Sequence, residues 1–297
     1  MVHLEEQSNL IGKLVFRLVK KHIAGSTSGS VLNVVRELNN KGLHTTVTLL
    51  NDHVDDAAKA KYNTNAYIHF IRQLSRLHLN SDVSIRPSQI GHGMEASLLD
   101  KNLQSIVEVA NSCDQRLWIE DEKELGEGGA MPIYRKFKPK CSTLGVEMMP
   151  ETRHLDNGVF GKVASRDIIK LRHRVRRSEE RQGEKDKEKK SDRVDRLGLY
   201  KAYIDRLMSK KVSLTLSEDD PALISGIISS NRDYRRNLIF EIPLGYNSKN
   251  MGRLQKSRLN LSVYVPYGKD WIPYFKNRLA EGRLKNIAAS LLNGSRA

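Results

Sequence analysis

The sequence contains only two cysteines, Cys113 and Cys141, among 297 residues. Two cysteines are too few for a disulfide framework or a cysteine-rich metal cluster, so we expect a reducing, intracellular setting and a cytoplasmic location. Long hydrophobic runs are also missing, because none reaches the roughly 18 residues of a membrane-spanning helix. The first residues lack the apolar core and the small-residue cleavage site of a signal peptide, so we do not expect one.

Several motifs of common enzyme sites are missing as well. No G-x-G-x-x-G follows a predicted strand, and neither a P-loop nor a serine-nucleophile elbow occurs. The nine histidines lie scattered, without the spacing of a metal site. These absences argue against an open dinucleotide-binding sheet, and we predict no bound metal.

Positive charge, by contrast, is abundant, with a net charge of +15. An excess of this size suits a nucleic acid, an anionic membrane surface or an anionic ligand. Residues 176–192 belong to a run of mixed sign and contain no aliphatic or aromatic side chain, so we predict a mobile, solvated insertion there. Because the run offers no aromatic platform for base stacking, nucleic acid is the less favoured partner.

Eight short segments carry the β-branched, aliphatic and aromatic residues typical of strands. They span residues 44–50, 83–90, 116–122, 143–149, 167–173, 211–217, 237–244 and 261–267. Helical spacings of three and four alternate with them, and Asp220 followed by Pro221 marks one helix start. Eight strand–helix units predict an α/β protein with a (β/α)8 TIM-type barrel. We expect residues 1–297 to form one barrel domain, with residues 1–25 as an accessory helix.

Polar side chains at the carboxyl ends of the strands are the candidates for chemistry, because barrel enzymes place their sites there. The candidates include Arg86, Gln89, Glu120, Glu122, Arg172, Ser217 and Tyr264. Glu120 and Glu122 lie two residues apart and face one side of a strand, so they could form an acid–base pair. They could equally pair with Arg86 on the neighbouring strand, which is the hypothesis we favour.

The segment VYVPYGKDWIPYFKNRLAEGR, residues 263–283, follows the last strand and combines aromatic and cationic side chains. Asp270 can cap a helix over residues 271–281, on which Tyr274 and Arg278 share one stripe with Asn277 beside it. The Arg278 guanidinium offers a planar fork for a carboxylate or phosphate. It could alternatively form a surface pair with Glu281.

This segment resembles the end of the monofunctional proline dehydrogenases, where a Y-V-P-Y-G-like strand precedes a helix with Y-x-x-R-R. VSIRPSQIG, LWIEDE and FEIPLGY are similar to the second, third and seventh strands of that family, in order along nearly the whole chain. The resemblance implies a (β/α)8 barrel that binds FAD and oxidises L-proline, or a related cyclic imino acid, to the Δ1-imine. It also implies an electron acceptor such as a quinone, and with it a peripheral membrane contact.

Specific residues follow from the resemblance. It implies that Arg278 pairs with the substrate carboxylate, with Asn277 beside it, and that Tyr264 and Tyr274 line the pocket around the substrate ring. Arg86 and Glu120 take the places of a catalytic lysine and aspartate. The cofactor-binding set that it implies consists of Gln89, Lys170, Arg172, Ser217 and Glu241.

The chain departs from the family pattern at several of these positions. Asn277 replaces the first of two adjacent arginines, and Lys170 stands for a flavin-facing arginine. Ser217 replaces a histidine, and bulky side chains follow the fifth strand where the family has Gly-Ala. Two hypotheses therefore stand: a divergent flavoenzyme, or an inactive paralogue that has lost FAD and acts as a binding or regulatory protein.

Overall fold

A computed structural model describes most of the chain. The described residues are 20–51, 54–126, 128–149, 160–172, 190–218, 220–230, 237–246, 248–272 and 274. Residues 1–19 of the predicted accessory helix lie outside them, and residues 20–25 form turns rather than helix. Residues 176–189 of the predicted insertion also lie outside them, and residues 190–192 begin a helix.

Eight parallel strands close into a barrel in sequence order, as the sequence predicted. They are β1 (His44–Leu49), β2 (Ser81–Ile85), β3 (Leu117–Ile119), β4 (Leu144–Met148), β5 (Ile168–Arg172), β6 (Ser213–Ser217), β7 (Leu238–Pro243) and β8 (Asn260–Tyr267). The first and last strands pair from His44 opposite Ser262 to Leu49 opposite Tyr267, which closes the barrel.

Two strands end earlier than the sequence pattern indicated. β2 stops at Ile85 because Pro87, which has no backbone N–H to give, begins a 3-10 turn over Pro87–Ile90. β3 stops at Ile119, and a 3-10 turn over Lys123–Leu125 follows shortly after.

Seven α-helices lie in the described part of the chain. They are α1 (Ser28–Asn40), α2 (Ala57–Arg76), α3 (Ala96–Ser112), α4 (Met131–Phe137), α5 (Lys190–Met208), α6 (Pro221–Ser230) and α7 (Ser248–Lys256). The predicted cap at Asp220 is confirmed, since its carboxylate accepts hydrogen bonds from the backbone N–H groups of Ala222 and Leu223. None of the described helices is both long and apolar enough to span a bilayer.

The barrel interior is polar rather than aliphatic. Lys170 on β5 reaches Glu241 on β7, and Thr48 on β1 reaches Glu120 directly after β3. These strands are not neighbours, so the contacts cross the inside of the barrel. Alternate residues point the other way, and the apolar ones among them join the buried core. The fold thereby directs charged side chains to its centre.

Candidate active site at the carboxyl ends of the strands

Glu120 is the hub of the polar network inside the barrel. Its Oε1 accepts hydrogen bonds from the hydroxyls of Thr48 and Tyr264, each at 3.0 Å. Burial disfavours ionisation, but the guanidinium groups of Arg172 and Arg86 hold the pKa of Glu120 below its usual value. Glu120 is therefore a buried, ionised carboxylate that fixes the Tyr264 hydroxyl.

Arg86 pairs with the two glutamates of the β3 end, as the favoured hypothesis predicted. Its Nε lies 2.9 Å from Glu122 and 3.8 Å from Glu120. Glu122 also accepts hydrogen bonds from the Ser88 hydroxyl at 2.7 Å and from the Ser88 backbone N–H at 2.9 Å. Burial nevertheless raises the pKa of Glu122 above its usual value. Glu122 thus ties Arg86 to the turn that follows β2.

The Gln89 side chain is hydrogen-bonded to other residues of the chain. Its carbonyl oxygen accepts a hydrogen bond from the Tyr67 hydroxyl at 2.6 Å. Its amide nitrogen donates to the backbone carbonyls of Leu49 at 3.0 Å and Asn51 at 3.2 Å. Gln89 therefore fastens the end of β1 to the β2 turn, and its cofactor contact stays a prediction.

Arg172 and Glu147 form a second charged pair at the ends of β5 and β4, separated by 3.2 Å. The Arg172 guanidinium also lies over the Tyr264 ring, 5.6 Å from its centre. Glu147 is 1% exposed, and its second oxygen has no hydrogen-bond partner in the structure. Burial, opposed by Arg172, raises the pKa of Glu147 to about 7. A carboxyl group with this pKa can hold or release a proton near neutral pH.

Sequence reasoning missed Glu147. It stands between the apolar Val146 and Met148 in a segment predicted as a strand, and it was not among the candidate residues. An acidic residue at one alternate position of an otherwise apolar strand is the signal that could have found it.

Lys170 and Glu241 form a third pair, which is wholly buried. The Lys170 Nζ lies 2.6 Å from the Glu241 carboxylate, with side-chain exposures of 0% and 1%. The same Nζ lies 4.5 Å from the centre of the Trp118 ring. The cofactor role expected of these two residues remains a prediction, because the structure shows them bound to each other.

The substrate-binding residues implied by the resemblance are only partly described. Tyr264 is buried, and Tyr274 lies near enough to contribute to its raised pKa, after burial and Glu120. Ser217 is buried at the end of β6, opposite Glu241 of β7. Asn277 and Arg278 lie outside the described residues.

Comparison with known proteins gives a consistent set of relatives. No family model matches the chain. It is 25% identical over 271 residues to proline dehydrogenase 2 of Bacillus subtilis (strain 168), covering 90% of this chain and 87% of that protein. It is 24% identical over 268 residues to proline dehydrogenase 1 of the same organism, covering 88% and 86%.

Solved structures of proline utilization A share the fold. The protein from Bdellovibrio bacteriovorus, inactivated by N-propargylglycine, superimposes with a TM-score of 0.71 at 13% identity. The match covers 93% of this chain but only 34% of that longer one. A bifunctional proline utilization A gives 0.66 at 15% identity, covering 91% and 31%.

Proposed function

Since the chain is a member of the proline dehydrogenase family, we propose that it is an FAD-dependent enzyme of proline catabolism. Its reaction is the oxidation of L-proline, or of a related cyclic imino acid, to the Δ1-pyrroline imine. The observation that carries the proposal is the similarity over 90% of the chain to a protein named proline dehydrogenase. An electron acceptor such as a quinone completes the turnover.

The charged residues of the site fit a polar, planar cofactor such as FAD. The unpartnered oxygen of Glu147 can accept a hydrogen bond, and the partly exposed Arg172 guanidinium can donate several. FAD, when bound, accepts a hydride equivalent from the carbon beside the ring nitrogen. Arg172 and Ser217 are the residues that would hold it. Gln89, Lys170 and Glu241 would act through the contacts they make within the chain.

The remaining residues bind and orient the substrate in this proposal. Arg278 pairs with the substrate carboxylate, and Tyr264 and Tyr274 wall the ring. Glu120 keeps the Tyr264 hydroxyl in one orientation, because that hydroxyl donates to its carboxylate. Arg86, held by Glu122, keeps a fixed positive charge beside Glu120. Fixed charges of this kind favour one substrate orientation without reorganising during the reaction.

A catalytically inactive paralogue that has lost FAD is the second candidate. One observation favours it: the Arg172 guanidinium bonds to Glu147 and lies over the Tyr264 ring, so the chain itself supplies partners for a residue expected to hold FAD. Such a protein would act by binding or regulation.

A visible absorption spectrum of the freshly purified protein, with FAD added and then dialysed out, separates the two candidates. The enzyme predicts an oxidised-flavin spectrum near one-to-one stoichiometry that L-proline bleaches. A colourless protein that unfolds cooperatively and does not retain FAD would refute the enzyme and support the paralogue.

Steady-state kinetics with L-proline and an artificial electron acceptor tests the substrate site. Arg278→Ala should raise KM strongly, because it removes the charge that pairs with the substrate carboxylate. Arg72→Ala, an exposed arginine on the outside of α2, is the matched control and should leave KM unchanged. Equal kinetics for both variants would remove Arg278 from this role.

A further inference from the structure

A cavity of about 540 Å³ lies at the amino end of the barrel, away from the candidate active site. Gly42, Asn80 and Arg116 line it from the connections that lead into β1, β2 and β3. Trp118 and Glu241 line it further inside, where the buried Lys170–Glu241 pair forms part of its floor. A volume of this size is typical of a site for a small molecule.

Three side chains that line this cavity form a continuous hydrogen-bonded chain. The Nε2 of His44 lies 3.1 Å from Asp82, and its Nδ1 lies 3.1 Å from the hydroxyl oxygen of Ser262. The second oxygen of Asp82 accepts a hydrogen bond from the indole N–H of Trp118 at 2.8 Å. Because a carboxylate only accepts, a neutral His44 ring donates its Nε2–H to Asp82 and turns the lone pair of Nδ1 toward the Ser262 hydroxyl.

Strand register brings these residues together. His44 on β1 lies directly opposite Ser262 on β8, and Asp82 on β2 lies opposite Thr46, two residues after His44. Ser262 is 2% exposed and Asp82 is 6% exposed, so packing fixes both side chains, whereas the His44 side chain is 29% exposed. A serine, a histidine and an acid linked in this order form the arrangement of nucleophilic catalysis, which geometry rather than sequence order identifies.

Arg116 indicates the charge of the molecule that the cavity accepts. The two carboxylates that line the cavity are already paired, Asp82 with His44 and Glu241 with Lys170. The half-buried Arg116 guanidinium, by contrast, has no ion-pair partner among the described residues. A guanidinium offers a planar fork for a carboxylate, so a ligand with a carboxylate group fits this wall.

We propose that this cavity is a second catalytic site, in which Ser262 hydrolyses small esters that carry a carboxylate. The Ser262 oxygen attacks the carbonyl carbon of the ester while its proton passes to Nδ1 of His44. The bond between that carbon and the alcohol oxygen then breaks, and the alcohol leaves with the proton. Water attacks the acyl-serine in the same way, which releases the acid and restores the Ser262 hydroxyl. Ester and water thus become acid and alcohol, without an oxidant or a cofactor.

The other residues of the cavity support these steps. Asp82 is a positioning residue, because it holds His44 in the tautomer that can accept the serine proton. The Thr46 hydroxyl, 3.4 Å from the Ser262 oxygen, is placed to donate to the carbonyl oxygen as that oxygen becomes negative. Arg116 holds the carboxylate of the ester. This inference does not depend on the proposed function, because neither proline nor FAD takes part in the hydrolysis.

Hydrolysis of 4-acetoxybenzoate by the full chain tests the proposal, with its uncharged methyl ester as the comparison probe. We expect turnover of both, with the lower KM for the carboxylate. Arg116→Gln should raise the KM for 4-acetoxybenzoate by about tenfold to a hundredfold, because it removes a charge-assisted hydrogen bond, and should leave the KM for the methyl ester unchanged. Arg72→Gln, on the exposed surface of α2, is the matched control.

Ser262→Ala should lower kcat by about a thousandfold or more, because it removes the nucleophile. Ser81→Ala is the matched control, since Ser81 is also buried at the amino end of the barrel and does not line the cavity. Asp82→Asn should lower kcat by about ten-thousandfold with little change in KM, because His44 then takes the wrong tautomer.

A fluorophosphonate probe identifies the nucleophile, because an activated serine displaces its fluoride and keeps the phosphonyl group. Mass spectrometry should find one adduct, on Ser262. His44→Ala should abolish the labelling, and added imidazole should restore it, which a purely structural role of His44 would not produce. His69→Ala, on the exposed surface of α2, should label like the wild type.

Four outcomes would overturn the proposal. The first is a wild type that neither hydrolyses the esters nor reacts with the probe. The second is an adduct on another serine, or equal labelling of His44→Ala without imidazole. The third is a folded Ser262→Ala variant that retains the wild-type turnover. The fourth is an equal KM for both esters in the wild type and in Arg116→Gln, a comparison that stays decisive if circular dichroism shows the buried variants unfolded.

Discussion

Removal of one member of the buried Lys170–Glu241 pair should destabilise the fold severely. Lys170→Met keeps the length of the side chain but leaves the Glu241 carboxylate, which is 1% exposed, without its cation. Leaving such a charge uncompensated costs about 3–5 kcal/mol in the free energy of unfolding. The lost contact with the Trp118 ring, at 4.5 Å, adds up to about 2 kcal/mol.

The double variant Lys170→Met, Glu241→Leu is the decisive comparison. It removes both charges and fills the space with apolar atoms of similar volume. Replacement of a whole buried ion pair in this way is often neutral or stabilising by about 1–4 kcal/mol. The double variant should therefore be more stable than Lys170→Met alone, although it carries one substitution more.

Urea unfolding followed by tryptophan fluorescence and by far-ultraviolet circular dichroism measures these differences. Trp118 lies against Lys170, so its emission reports directly on the region. The two probes must give coincident transitions for the free energies to be compared. A loss below about 1 kcal/mol for Lys170→Met would refute the reasoning, since it would mean that Glu241 becomes hydrated, takes up a proton or pairs with another cation.

Three further predictions follow from the described residues. Burial raises the pKa of Glu147 from its ordinary 4.5 to about 7, so its contribution to stability is fully present below pH 4.5 and is lost as pH rises through about 7. Across that window the wild type should lose up to about 3 kcal/mol relative to Glu147→Gln in urea unfolding, and a constant difference would contradict this. Gly268→Ala should destabilise the end of β8, because a Cβ would lie 2.0 Å from the carbonyl oxygen of Leu50 at a φ of +144°; Gly42→Ala, with positive φ but open space, should cost only about 1 kcal/mol in a thermal melt. Glu122→Ala should lower the free energy of unfolding in urea by about 2–4 kcal/mol, because it removes three hydrogen bonds that include the Arg86 pair. A variant with unchanged stability and only a changed KM would show that Glu122 does no more than position Arg86.

The fold was largely predictable because each strand carries its own signal. β-branched and aliphatic residues mark all eight strands, and alternation with helices implies the parallel barrel. The errors lie where an individual residue overrides the local hydrophobic pattern. The apolar run of β2 continues past Ile85 in the sequence, but Pro87 ends the strand. The short helices α4 and α7 were missed, since α4 begins Met-Pro and α7 is mostly polar.

The candidate site was predictable only in part, because its contacts join distant residues. The pairing of Arg86 with Glu122 followed from alternation on adjacent strands. The hydrogen bond from Tyr264 to Glu120 joins residues 144 positions apart, and no local sequence pattern predicts it. The same holds for Glu147, whose role appears only when β4 and β5 bring it beside Arg172.

The order of the strands has a consequence for the newly synthesised chain. β8 leaves the ribosome last, yet it must pair with β1 before the barrel can close. Until then the cavity that receives Glu120, Glu147 and Lys170 is open, and these charges remain hydrated. Their water is expelled only when the final strand arrives, so a nascent chain that lacks β8 cannot retain a dry, charged interior. The protein should accordingly resist proteases only after its last strand has been made.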